Sequence, residues 1–151
     1  MLSLTVSTGL DESDGDYSDG DLSLREALEL STDPSGDDLI RFDSGLTGAT
    51  IRLDPLLGQL QVESNVTIEA PGVTIESVVS SGQRVLFVQA GVTASISGVT
   101  ISRGWLEEGD GAGIYNAGAL TLTNALVSGN SFGENNDAGR GIGIFNPAFP
   151  I

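Results

Sequence analysis

Asp14, Asp16, Ser18, Asp19 and Asp21 place side-chain oxygens at near-alternate positions around Gly15 and Gly20. A hard cation such as Ca²⁺ gathers oxygen ligands from a single loop in this way. The spacing departs from a calcium loop in two places. Counted from Asp14, the second glycine falls at position 7, and Glu26, the nearest late carboxylate, falls at 13, where a calcium loop has its glycine at 6 and its bidentate acid at 12. Two readings stay open: a Ca²⁺ site, or a solvated acidic loop whose carboxylates favour the N-terminus of the helix that follows. Arg25 is expected to pair with one of these carboxylates.

Catalysis has little to work with. The chain holds no His, Lys or Cys, so a polysaccharide lyase would need one of Arg25, Arg41, Arg52, Arg84, Arg103 or Arg140 as its base. A glycoside hydrolase would need carboxylates converging on one groove. Glu107, Glu108 and Asp110 beside Trp105 form the acidic cluster nearest an aromatic within the later part of the chain. No second cluster lies one period away, which favours a solvated loop over a sugar-cleaving site. Phe87, Tyr115 and Phe145, with Gln61 ahead of them, recur at one position of a repeat, where rings either stack on each other or form a strip for sugar rings.

These residues are positioned by a three-beat unit. Its first beat is Leu60-Gln61-Val62, then Leu86-Phe87-Val88, Ile114-Tyr115-Asn116 and Ile144-Phe145-Asn146, at steps of 26, 28 and 30 residues. The second is Val66-Thr67-Ile68, Ala94-Ser95-Ile96 and Leu120-Thr121-Leu122; the third is Val73-Thr74-Ile75, Val99-Thr100-Ile101 and Ala125-Leu126-Val127. Triplets with apolar first and third residues show one apolar face, which a single turn cannot enclose and a stack of turns can. The pattern predicts an all-β fold, a β-solenoid. Leu60, Leu86, Ile114 and Ile144 should form one interior column, with Val66, Ala94 and Leu120 in a second and Val73, Val99 and Ala125 in a third. Gln61, Thr67, Thr74 and Tyr115 should face outward. Asn116 and Asn146, at corners, should bond turn backbone and each other.

The first third is organised differently. Leu2-Ser3-Leu4-Thr5-Val6 alternates as a strand, the acidic loop runs from Asp11 to Asp21, and Ser23 to Leu30 reads as a short helix. Ser23 with Glu26 forms a capping box, and Leu24, Ala27 and Leu28 make an apolar stripe. Asp33-Pro34-Ser35-Gly36 stops the helix, and Leu39 to Phe42 and Thr50 to Leu53 resume strand patterning. A solenoid must cover its first edge and the end of its core, so residues 1–44 are assigned as an N-terminal cap and residues 45–151 as coils. The sequence stops within a coil: Ile144-Phe145-Asn146 supplies a first beat, and Pro147-Ala148-Phe149-Pro150-Ile151 supplies neither second nor third. The expected outcomes are self-association through the open last coil, simple fraying of it, or a plug made by Phe149 or Ile151.

Composition narrows the partners. Twenty-one Gly and 5% aromatic residues suit many tight turns around a narrow aliphatic core. Against 21 Asp and Glu stand 6 basic residues, all Arg, for a formal net charge of −15. That argues against nucleic acid and against unassisted contact with anionic lipid or polyanionic polysaccharide. Such a Lys-free acidic surface suits salty water or a generic secreted protein. No run of about 18 apolar residues predicts a membrane span, no basic-then-apolar start predicts a signal peptide, and disulfides are excluded.

The stretch Asp14 to Leu28, ending Leu22-Ser23-Leu24-Arg25-Glu26-Ala27-Leu28, followed by Gly-Ile-Tyr-Asn and Leu-Thr-Leu-Thr-Asn units, resembles the secreted right-handed parallel β-helix proteins with a Cys-Ser-Leu-Arg-Glu-Ala signature. The looser repeat units are similar to those of polymorphic outer-membrane proteins. The family's usual Cys is Leu22 here, and its usual partner Cys corresponds to Tyr17, so a Tyr17–Leu22 contact or a metal would have to pin the loop instead. The resemblance implies a right-handed coil, so that the all-β fold is a right-handed parallel β-helix, together with export and a role as a non-catalytic module, for adhesion or scaffolding, in secreted or cell-surface proteins. The partners to expect are polysaccharides or other cell-surface molecules. A carbohydrate-binding module using Phe87, Tyr115 and Phe145, or a β-helix lyase or hydrolase, stands as the alternative.

Overall fold

The computed structural model describes residues 1–32 and 36–147. Most of the expected helix stop, residues 33–35, and the expected plug residues Phe149 and Ile151 lie outside the described residues. Fifteen strands follow in chain order: β1 Ser3–Val6, β2 Asp38–Phe42, β3 Thr50–Arg52, β4 Leu60–Val62, β5 Val66–Glu69, β6 Thr74–Glu76, β7 Leu86–Val88, β8 Thr93–Ser97, β9 Thr100–Ser102, β10 Trp105–Leu106, β11 Ile114–Asn116, β12 Ala119–Thr123, β13 Leu126–Ser128, β14 Ser131–Phe132 and β15 Ile144–Phe145. Among the described residues one α-helix, α1, spans Leu24–Leu30.

Each beat builds one parallel sheet. The first beat gives the order β15-β11-β7-β4, the second β1-β2-β5-β8-β12 and the third β13-β9-β6-β3. The chain is therefore a β-solenoid, and like stacks on like: Leu60 pairs with Leu86, Leu86 with Ile114 and Ile114 with Ile144. Val66, Ala94 and Leu120 align in the second sheet, and Ile51, Ile75, Ile101 and Val127 in the third. The core follows these columns. A fully enclosed Leu, Ile or Val contributes on the order of 1.5–3 kcal/mol, and its enclosure depends on cover from both sides, by a coil or, at the N-terminal end, by the cap. Leu120, Leu122, Ala125 and Val127 are only half-buried, and Ile144, although in the interior column, is 37% exposed. Among the described residues no strand lies beyond β12, β13 and β15 in their sheets. Gln61 is exposed as expected; Thr67, Thr74 and Tyr115 point outward but are half-buried between neighbouring coils.

A fourth, two-stranded sheet joins β10 to β14, pairing Trp105 with Ser131 and Leu106 with Phe132. The loop expected after the third beat at Trp105 thus begins as a strand. Gly104 permits the tight entry to it: a Cβ there would collide with the Ala112 carbonyl oxygen. Asn130 closes the same corner, accepting from the Gly104 amide and donating to the Ile101 carbonyl.

At the N-terminal end β1 and β2 continue the second-beat sheet, so that sheet runs across the division at residue 44. Helix α1 has only 7 residues, too few to persist alone in water. It is held by packing Leu24, Ala27 and Leu28 into the core and by the expected capping box between Ser23 and Glu26. Its contacts are with β1 and β4.

Candidate functional site

Glu26 and Arg25, adjacent on α1, hold the acidic region from inside. Glu26 is fully buried. Its Oε1 accepts from the Asp14 and Gly15 amides at 3.1 Å each, and its Oε2 accepts from the Ser23 amide. Burial alone would raise its pKa, but the donors from Ser23, Gly15 and Asp14 outweigh it and hold the carboxyl below its ordinary 4.5. Arg25 grips Asp11 with two bonds, Nε to Oδ1 at 2.8 Å and Nη2 to Oδ2 at 2.9 Å. Its remaining N–H groups reach the carbonyls of Leu57, Gly58 and Gln59. These carbonyls immediately precede β4, the terminal strand of its sheet, so the guanidinium caps backbone that a further coil would otherwise serve. The carboxylate partner expected for Arg25 is thus Asp11.

The loop itself is turned inward on its own backbone. Asp14 Oδ1 accepts from the Asp16 amide and Asp16 Oδ1 from the Ser18 amide. Asp14, Asp16, Ser18 and Asp19 are exposed and Asp21 half-exposed. Among the described residues no group of three or more His, Cys, Asp or Glu is placed to hold a metal ion. Leu22 lies in the core while Tyr17 is 51% exposed. Glu12, beside the loop, is the unsettled member. Its Oε1 is shielded from solvent with no hydrogen-bond partner among the described residues. Burial, then Asp21, Asp14, Glu26 and Asp11, push its pKa up.

A stability test follows from the Glu26 shift. A carboxyl held low in the folded state contributes stability above its unfolded pKa and loses it as pH falls through the folded value. The melting temperature should therefore fall as the solution is acidified below about 4.5. Glu26→Gln, which keeps a capping acceptor but cannot ionise, should flatten that limb of the profile. An identical acid limb in wild type and variant would remove Glu26 as its source.

The outward column is a stack. Phe87 and Tyr115 lie 5.2 Å apart at 19°, and Tyr115 and Phe145 5.2 Å apart at 59°. The Arg84 guanidinium sits over Tyr115 at 5.1 Å and that of Arg140 over Phe145 at 4.7 Å. Phe145 is consequently buried although it points outward. Tyr115 and Phe145 thus each meet a neighbouring ring and a guanidinium, and Phe87 stacks on Tyr115 with one face. Arg84 also ties coils together, donating to the Gln59 side chain and to the carbonyls of Asp110 and Gly111.

Asp110 and Glu107, two of the three carboxylates near Trp105, are similarly committed along the axis, while Glu108 is exposed. Asp110 accepts from the Arg140 side chain at 3.0 Å and from its amide at 2.7 Å; the bond from the Arg140 side chain, chiefly, lowers its pKa. Glu107 accepts from Asn135 at 2.7 Å. A hydrolase's general acid needs a raised pKa, and Asp110 is shifted the other way. Asn116 donates to Asn146 at 2.8 Å and accepts from the Gly118 amide, the corner arrangement expected.

The sequence reading missed two concave features. A cleft of about 280 Å³ lies where α1 meets the first coil, lined by Arg25, Glu29, Gln59 and Glu63 among others. An open groove of about 590 Å³ runs beside β3, lined by Leu10, Glu12, Thr50, Arg52, Leu53 and Val78 among others. No alternation signals either, because each forms between segments remote in sequence. Comparison with protein-family models, curated proteins and solved structures finds no match. Among the described residues no helix is long and apolar enough to cross a membrane.

Proposed function

We propose that this chain is a non-catalytic β-helix module of a secreted or cell-surface protein, serving as a scaffold or adhesion element. One observation carries the reading. The outward groups that recur from coil to coil, the Phe87–Tyr115–Phe145 stack, Asp110 with Arg140, and Glu107 with Asn135, are bonded along the axis to their counterparts. Side chains spent on joining coils stiffen a rod instead of converging on a substrate. The resemblance carried by Ser23-Leu24-Arg25-Glu26-Ala27 supports export. The partly covered ring of Leu120, Leu122, Val127 and Ile144 supports pairing of the last coil with a further strand, including that of a second copy.

Incubation with neutral and acidic polysaccharides separates the possible activities. The expected result is no release of reducing or unsaturated ends. Release from any of them would overturn the non-catalytic reading. Binding that disappears when Phe87, Tyr115 and Phe145 are replaced by Ser would transfer the chain to the carbohydrate-binding class. Surface placement is tested by protease accessibility of the full-length gene product on intact cells, and a protected product would remove it.

A further inference from the structure

The three sheets end differently at the N-terminal side. The second-beat sheet is extended by β1 and β2, and the first-beat sheet ends at β4, beneath α1 with Arg25 on the preceding carbonyls. The third-beat sheet ends at β3 with no strand beyond it among the described residues. The Thr74 amide donates to the Ala49 carbonyl, and the Leu53 amide donates to the Glu76 carbonyl. In a parallel ladder successive residues address opposite sides, so Ala49, Ile51 and Leu53 serve β6. The N–H and C=O groups of Thr50 and Arg52 therefore point to the free edge, as two donors and two acceptors.

The groove of about 590 Å³ lies along that edge, between β3 and the segment Gly9 to Glu12, with Val78 contributing from the loop after β6. Its lining is partly apolar, through Leu10, Leu53, Pro55 and Val78, and Leu10 is 63% exposed. The charged groups there are unequally committed. Asp11 is taken by Arg25 and by the Asp54 amide, and Arg52 by Glu76. Glu12 Oε1 has no partner among the described residues.

We infer that this groove is a docking site for an extended peptide segment of another protein, which adds to β3 as a strand, seats apolar side chains on Leu10, Pro55 and Val78, and places a cationic group on Glu12. Strand addition supplies main-chain hydrogen bonds for affinity and side-chain pockets for specificity. The cation is argued from charge complementarity: Glu12 is half-exposed, with Asp11 and Asp14 beside it in a chain of net charge −15, and such a site draws a Lys or Arg side chain and repels an acidic one. The inference does not depend on the scaffold role.

The test is fluorescence anisotropy with a labelled synthetic peptide of valine and threonine carrying one central lysine. Saturable binding is expected. Replacing its lysine by glutamate, or methylating every backbone amide nitrogen, should abolish it. Glu12→Gln should weaken binding about tenfold, as losing a hydrogen bond to a charged group implies, and Val78→Asp should weaken it independently. Both are half-exposed, and both variants should retain cooperative thermal unfolding. No binding at millimolar peptide would overturn the inference. So would equal binding of the methylated peptide, which would mark simple charge attraction. Concentration-dependent self-association that Glu12→Gln removes would give the groove to a second copy, and would equally overturn it.

Discussion

Ile114→Asp should abolish cooperative folding. Ile114 is 0% exposed and sits in β11 between Leu86 on one side and Ile144 on the other. An Asp there is enclosed by aliphatic columns with no cation to meet it. The effective penalty for such an unpaired charge is several kcal/mol, comparable with the roughly 5–15 kcal/mol that holds a domain together. Thr67→Asp is the matched control. Thr67 is the outward middle residue of β5, half-exposed, and its replacement should cost no more than about 1 kcal/mol. Urea denaturation followed by circular dichroism reads both. Because side chains alternate between faces, a one-residue slip in register would reverse the two results. Equal tolerance at the two positions would refute the register.

Arg25→Met should be the most damaging change to the N-terminal end. It leaves the Asp11 carboxylate, whose side chain is 1% exposed, without its cation. It also strips donors from the carbonyls of Leu57, Gly58 and Gln59. Breaking a buried pair from one side costs about 3–5 kcal/mol. Adding Asp11→Leu should return part of that loss. Recovery should remain partial, because Asp11 also accepts from the Asp54 amide, and a double-mutant cycle measures the coupling. Arg41→Met breaks an ion pair of similar length with Glu69, but both side chains are about half exposed, and it should cost under about 1 kcal/mol. An Arg25 variant as mild as the Arg41 variant would show that the cap is held by α1's apolar stripe alone.

The columns were legible because burial imposes period two on each beat and in-register stacking repeats it. Ser23 and Glu26 were legible as a capping box because the helix terminus demands both partners at a fixed offset. Other features depend on what the chain places nearby. Trp105-Leu106 and Ser131-Phe132 are too short to alternate, so β10 and β14 left no periodic signal. Ile144 carries the same pattern as Leu60, and its exposure goes with having no strand beyond β15 among the described residues. Phe145 is buried by Arg140, which lies only five residues earlier but acts through a loop that no spacing rule describes. Asp11 was one carboxylate among several within reach of Arg25. Only the fold shows that it, and not Asp14 or Asp16, receives the guanidinium. The groove beside β3 needed the third-beat sheet to end where it does, which requires knowing that Thr50–Arg52 pairs with Thr74–Glu76 and, among the described residues, with no strand before it.

The aliphatic columns pose an addressing problem that the aromatic side of the molecule resolves. Leu86, Ile114 and Ile144 are nearly interchangeable, so the interior does not specify which coil belongs next to which. A chain that skipped one turn while folding would bury almost the same hydrocarbon. Along the outer line, Gln59 meets Arg84, Arg84 meets the Asp110–Gly111 backbone, and Asp110 meets Arg140. Omitting the turn that carries Asp110 would bring Arg84 against Arg140, two cations with no acid between them. Ordering the coils is therefore delegated to polar residues at the rim, where a wrong neighbour is a repulsion and the right one a bond.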